Sequence, residues 1–592
     1  MVLWPSLRRF GIAALFLGAS SYADAAMGAE PVSEGVQLAV LAYRDVVDQN
    51  PDQRFGAITT AHLAEQFDWL QAHGYHPVSL DDVVGAASGR MLPPKPVLLT
   101  FNDGFESFYT RTFPLLQAYR YPAILGVAGS YMSPPPGGVV RYGDLDLGRG
   151  QFMNWNEVRD VVRSGLVEIA AQTNALEGDI EANPQGDREP AITRRLYDRT
   201  QRRYEDDAAF RLRLGRDFAS IADAIRQETG RAPRAIIWPR GARNQEAVSI
   251  AASVGMPIAL TLDEGTPSIA RLDEVPRFSI ANDPSIGDFI AQVTLSKPPQ
   301  PLRTVRVALD KIYDLNAART EQNLNLLIDR INRLHISAVF LEAYVEPRRA
   351  DPVREVYFPN RLLPMRADLF NHVAWQLRMR THVTVYAALP ILNFDFMRDV
   401  AASAQSVVAL YEDLAKSASF GGLFFDTDSR QPEAGPALDA MTAQIVERVW
   451  RFGGPIKTAR NINVRPTASG AVNDELLRGQ TGLLRNYDYA VISLTADLQN
   501  APASDTRWLT ALVAAARASD PSLQRTIFNL QASDAQVPES QARPGAALAK
   551  SMELLRELGA GNFGYFPDDF TGNRPDIESI DAAISLQTVP VE

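Results

Sequence analysis

Asn102 and Asp103 end the apolar run of VLLTFNDGFESFYT from Val97, an amide and a carboxylate where a strand breaks into a sharp turn. Two carboxylates in that position would be equipped for acid–base chemistry, but an amide accepts no proton at neutral pH. A second set of polar residues lies at the ends of apolar runs in the C-terminal half: Asp310, Glu342, Asp395, Asp426 with Asp428, Arg460 with Asn461, Gln531, and Asp568 with Asp569.

The elements that must position these residues follow from hydrophobic patterning. From about Gln37 to Ile290 the chain alternates short apolar runs with amphipathic stretches. The strand candidates are Gln37–Ala42, Val97–Thr100, Ala123–Val127, Val167–Ala171, Ala235–Trp238 and Ile258–Leu262. Between them, Thr59–Ala72 and Phe210–Thr229 carry apolar residues three and four apart, the helical spacing. This predicts an α/β unit with its functional groups in the loops after the strands. The second half holds eight strand candidates, beginning near Val305, Ala338, Val383, Leu423, Ile456, Tyr489, Thr526 and Phe563. Helical stretches such as Asn323–Leu334, Leu438–Trp450 and Trp508–Ala518 separate them, so a (β/α)8 barrel is expected, in which strand C-termini carry the site. The Pro-rich SKPPQPL, residues 296–302, reads as a linker between units spanning 34–295 and 303–592. The charged stretch Asp187–Arg213 reads as a solvated loop leading into a helix.

A length of 592 residues exceeds one hydrophobic core. The hydrophobic content of 46% and mean hydropathy of −0.14 are those of a globular chain. A net charge of −11 argues against nucleic acid as a partner. Residues 1–26 read as a secretory signal: Arg8 and Arg9, the apolar run Phe10–Gly18, then small residues around Ala23 and Ala25. Export to the periplasm without a stable membrane anchor is therefore expected; the apolar run is short for a bilayer span. The absence of cysteine excludes disulfides, thiolate zinc sites and a lipidated N-terminal cysteine.

At TFNDG the chain resembles the TFDDG signature of polysaccharide deacetylases of the carbohydrate esterase 4 type. GYHPVSLDDV from Gly74, IIWPRG from Ile236, VPRFSIANDPS from Val275, YFPNRLLPMRADLFNHVAWQLR from Tyr357, KTARN from Lys457 and NFGYFPDDF from Asn562 match a narrower group. These segments resemble the periplasmic poly-β-1,6-N-acetylglucosamine N-deacetylases of biofilm-forming bacteria, over about Val36 to Phe570. The resemblance implies a distorted (β/α) barrel of the deacetylase type followed by a glycoside-hydrolase-like (β/α)8 barrel. It also implies an amino-sugar polysaccharide as substrate, with an outer-membrane polysaccharide exporter as a further candidate partner.

The resemblance places the catalytic base at Asn102 and the metal ligands at Asp103, Gln172 and Glu177, where the family has Asp, Asp, His and His. Arg44, in YRD, stands where the family has another histidine and brings a fixed positive charge close to the metal position. N-deacetylase activity is thus expected to be lost and no cofactor is expected. A weak, oxygen-rich site for a hard divalent cation at Asp103 and Glu177 is the alternative. None of the six histidines replaces a missing ligand; His73 and His76 read as loop or capping residues. In the second barrel the family's acidic segment falls on FDTDS, where Asp428 matches an aspartate and Asp426 replaces a histidine. Asp310 matches the first-strand acid, Ala388 replaces a tryptophan and Asn529 a glutamate. Asp310, Asp426 and Asp428 are therefore the candidate catalytic acids. Glu342, Tyr386, Arg460, Asn461, Gln531 and Asp568 are the candidate saccharide contacts. A hydrolase active only in the second barrel, or a deacetylase with a rebuilt metal site, are the competing readings.

Overall fold

The computed structural model describes residues 38–134, 138–263, 265–294, 300–347, 351–397, 400–426, 436–464, 474–494, 506–533 and 543–587. The signal segment, most of the Pro-rich linker and Asp428 lie outside them.

Among the described residues the first sheet has nine strands: β1 (Ala39–Tyr43), β2 (His76–Pro77), β3 (Pro96–Phe101), β4 (Ala123–Val127), β5 (Val167–Ala171), β6 (Ala235–Ile237), β7 (Ile258–Thr261), β8 (Val275–Pro276) and β9 (Phe278–Ser279). They run in the order β8-β7-β6-β5-β4-β3-β1-β9, with β2 beside β3, and every pairing is parallel. All six residues of β3 and all five of β4 are buried, as expected of parallel strands covered on both faces. The two ends of the sheet, β8 and β9, are separated in sequence by Arg277 alone, so the chain itself bridges the gap in a nearly closed barrel.

The second sheet is a closed barrel of eight parallel strands: β10 (Arg303–Ala308), β11 (Ala338–Glu342), β12 (Thr384–Pro390), β13 (Gly422–Asp426), β14 (Lys457–Val464), β15 (Tyr489–Leu494), β16 (Thr526–Gln531) and β17 (Phe563–Phe566). The fold class expected from the sequence is observed. Inside this barrel Phe340, Tyr386 and Phe424 pack together, with the Phe340 and Phe424 rings stacked at 4.4 Å. Two glycines make room: a Cβ on Gly422 would lie 2.2 Å from the Tyr386 ring, and one on Gly564 would lie 2.0 Å from the Thr304 carbonyl.

The stretch Asp187–Arg213 is not the solvated loop that its charge suggests. Asp187, Glu189, Arg194 and Arg195 are buried, because several of their charges and hydrogen bonds are satisfied by the second barrel. Arg194 donates to the carbonyls of Ala415, Ala418 and Gly453. Asn371 donates to Glu189 Oε1 at 2.7 Å, and His372 Nδ1 lies 2.6 Å from Asp187 Oδ2.

Candidate functional site

In the first barrel the turn after β3 brings Asn102 and Asp103 to the strand C-termini. Asp103 adopts a left-handed backbone (φ 71°), uncommon outside glycine and tolerated best by Asp and Asn. Its environment is an almost closed set of hydrogen bonds. Gln172, following β5, donates from Nε2 to Asp103 Oδ1 at 2.7 Å and accepts the Asp103 N–H at 2.8 Å. Tyr142, on the hairpin of Val139–Tyr142 and Leu145–Gly148, donates its hydroxyl to Asp103 Oδ2 at 2.7 Å. Arg44, after β1, lies 3.8 Å from the same oxygen. Burial works to discharge Arg44, but Asp103 together with Tyr142, Tyr131 and Glu177 outweighs it and holds the guanidinium above its ordinary value.

Asn102 is held from the barrel seam. Arg277 donates from Nη1 to Asn102 Oδ1 at 2.8 Å and to Thr100 Oγ1 at 3.0 Å, and from Nε to the Thr261 carbonyl at 3.2 Å. Among the described residues no carboxylate is bonded to this buried guanidinium, and burial followed by the nearness of Arg44 pulls it down to about 9. Glu177 accepts from the Thr173 N–H and hydroxyl at 2.9 and 2.8 Å. Burial, then the Asp103 charge, pushes its carboxyl up to about 8.

This donor set does not suit a divalent cation. Both Asp103 oxygens are engaged, Gln172 has its oxygen on a backbone N–H, Glu177 favours its neutral form at pH 7, and Arg44 supplies a positive charge beside the carboxylate. Among the described residues no group of three or more His, Asp and Glu side chains is placed to hold a metal. His73 Nδ1 lies 2.8 Å from the Trp69 carbonyl and His76 Nδ1 lies 2.7 Å from that of Pro94, both local contacts.

In the second barrel the strand-end residues converge on a side chain that the sequence reading passed over, Arg306 of β10. It donates from Nε to Glu342 Oε1 at 2.5 Å, and from Nη2 to Asp426 Oδ2 at 2.7 Å and to the Tyr344 hydroxyl at 3.0 Å. Asn461 donates to Asp426 Oδ1 at 2.8 Å and accepts from Ser493, which in turn accepts from Asn529. The network draws on six strands. Burial tends to discharge Arg306, but Asp426 and Glu342 overcome it and hold the guanidinium well above its ordinary value. Burial raises Glu342 to about 7 against the pull of Arg306. Asp310 stands apart from this network, accepting from the Glu346 N–H at 2.7 Å and the Tyr357 hydroxyl at 2.5 Å. The Gln531 Oε1 and Asn529 Oδ1 atoms have no hydrogen-bond partner among the described residues.

Three candidate saccharide contacts are placed elsewhere. Tyr386 belongs to the barrel's apolar interior at 2% exposure, one layer below Glu342. Arg460 alternates outward from Asn461 and lies over Tyr487 at 5.7 Å, between barrel and helices. Asp568 is a buried structural anion bonded to Arg330 and Tyr565, and burial raises it to about 6. Arg306 had a signal in the sequence, a charge alternating with apolar residues in RTVRVA. Tyr142 had none, because the chain brings it in from a hairpin, and Arg277 lay inside the matched VPRFSIANDPS segment with nothing to mark its place at the seam.

Residues 89–259 match the family described as polysaccharide deacetylase, and residues 306–409 and 433–566 match that described as hypothetical glycosyl hydrolase family 13. Fold and matches together define a polysaccharide deacetylase-type barrel joined to a glycoside-hydrolase-like barrel. The poly-β-1,6-N-acetyl-D-glucosamine N-deacetylase of Escherichia coli K12 is 33% identical over 93% of this chain and 92% of its own length. The chain belongs to the family of poly-β-1,6-N-acetyl-D-glucosamine N-deacetylases. Among solved structures, the BpsB deacetylase domain of Bordetella bronchiseptica is 37% identical, covering 42% of this chain and 96% of that one, with a TM-score of 0.39. The glycoside hydrolase domain of PgaB (BpsB) from the same organism is 32% identical, covering 48% and 99%, with a TM-score of 0.40.

Proposed function

We propose that this chain binds an amino-sugar exopolysaccharide of the poly-β-1,6-N-acetylglucosamine type, in the periplasm of a biofilm-forming cell, without removing its acetyl groups. The activity of the Escherichia coli relative supports the polymer class. The observation that carries the loss of hydrolysis is the Asp103 carboxylate, closed by Gln172 and Tyr142 and faced by Arg44. With Asn102 at the base position no proton acceptor stands there, and a carboxylate with both oxygens engaged is poorly placed to hold the cation that would polarise an amide carbonyl. An outer-membrane exporter is the further partner this role calls for.

The test pairs calorimetric titration of β-1,6-linked N-acetylglucosamine oligomers with an acetate-release assay in zinc, cobalt, nickel, manganese or magnesium. Binding without release is expected. Acetate release that Asp103→Ala abolishes would overturn the reading.

A hydrolase confined to the second barrel is the second reading, favoured by Glu342, a strand-end carboxyl raised to about 7 in the range of a general acid. It requires polymer fragmentation that Glu342→Gln or Asp428→Asn stops. Polymer intact after long incubation eliminates it.

A further inference from the structure

A cavity of about 540 Å³ lies on the outer wall of the second barrel, between helix Pro436–Gly453 and the residues that begin β14 and β15. Thr458 and Asp488 mark it as the N-terminal end of these strands, away from the strand ends that carry Asp426 and Arg306. The volume is that of a small-molecule site, and the lining mixes an aromatic surface with a few polar groups, the composition such sites use.

Part of the wall is rigid. Asp488 accepts from the Thr458 N–H and hydroxyl, both at 2.8 Å. Arg525 donates to the carbonyls of Leu484 and Tyr487, and the Thr442 and Tyr487 hydroxyls share a hydrogen bond of 2.7 Å. Other groups have no such commitment. Trp450 lines the cavity, its Nε1 is buried with no hydrogen-bond partner among the described residues, and the Arg271 guanidinium of the first barrel lies 6.0 Å from its ring. Asp439, Arg485 and Asn486 complete the lining.

We propose that this cavity is a second saccharide site holding one or two amino-sugar residues, with Trp450 against the C–H face of a pyranose ring and Asp439 opposite a 2-ammonium group. The inference rests on the reading that the chain binds an amino-sugar polymer, and adds that its outer wall shares in the binding. A ring face offers C–H groups to the indole and hydroxyls to Asn486, while an ammonium supplies the charge that Asp439 attracts.

The experiment titrates β-1,6-linked glucosamine and N-acetylglucosamine tetramers into the full chain, Trp450→Ala, Trp450→Phe and Asp439→Asn, with circular dichroism confirming that each is folded. Loss of one binding event in Trp450→Ala, retained in part by Trp450→Phe, is expected. Asp439→Asn should weaken the glucosamine tetramer about tenfold and leave the acetylated one nearly unchanged. Isotherms of Trp450→Ala and Asp439→Asn that overlay the wild type overturn the second site while the polymer-binding reading stands. A wild-type chain that binds neither tetramer overturns both.

Discussion

A carboxylate flanked by a carboxamide, a phenol and a guanidinium has little left to offer a cation, and Asp103 is such a group. Its neighbour Glu177 gives the site a pH signature. The folded-state carboxyl is raised from 4.5 to about 8, so between those values the native chain binds more protons than the unfolded one. Stability from this group is therefore complete below about pH 4.5 and is lost as pH rises through 8. Glu177→Gln should flatten thermal stability across pH 5–9 and, discounting for partial exposure, gain on the order of 1–2 kcal/mol above pH 8. Melting curves of both proteins, taken as differences, check this; parallel pH slopes would exclude it. In the second barrel Arg306 binds two acids at once, and Arg306→Met would leave Glu342 and Asp426 buried without a counter-ion. A loss of about 3–5 kcal/mol by denaturant titration is expected.

At the level of elements, the second barrel depends on places where a side chain is missing. Gly564 sits against the Thr304 carbonyl where β10 closes on β17, and Gly422 sits under the Tyr386 ring. Gly564→Ala should cost several kcal/mol because backbone, not a flexible side-chain end, occupies the space. Tyr386→Phe should bind saccharide as the wild type does, whereas Tyr386→Ala should destabilise by about 3–5 kcal/mol. Reduced oligomer affinity in a stably folded Tyr386→Phe would return that residue to the site. The strands themselves were legible in the sequence: Ala123–Val127 and Val167–Ala171 match residue for residue, and all eight C-terminal candidates begin within two residues of a strand. Local apolar runs determine them. The site was legible only in its residue types. That Gln172 clamps a carboxylate 69 positions away, or that Tyr142 descends on it from a hairpin, depends on tertiary placement. The charges of Asp187, Glu189 and Arg194 misled for the same reason, since their partners are about two hundred residues distant.

Those distant partners set the behaviour of the molecule as a whole. His372 lies between Asp187 and Glu321; burial opposes its charge, but the two carboxylates raise it above the ordinary histidine value. Arg194, drawn down to about 10 by burial, is bonded to three carbonyls of the second barrel. Arg194→Met should weaken the junction by about 3–5 kcal/mol and let the barrels unfold separately. Calorimetry should then resolve two transitions, and a single unshifted one would show the junction to be dispensable. The clamp on Asp103 bears on a longer timescale. Histidine at 172 would surrender both hydrogen bonds that Gln172 makes, whereas aspartate at 102 would keep the bond to Arg277 and give that guanidinium a counter-ion. Histidine at 177 would give up the bonds to Thr173. The steps at 172 and 177 thus break contacts before any coordination bond can form, so a chain changed one residue at a time would pass through less stable intermediates on the way to a metal site.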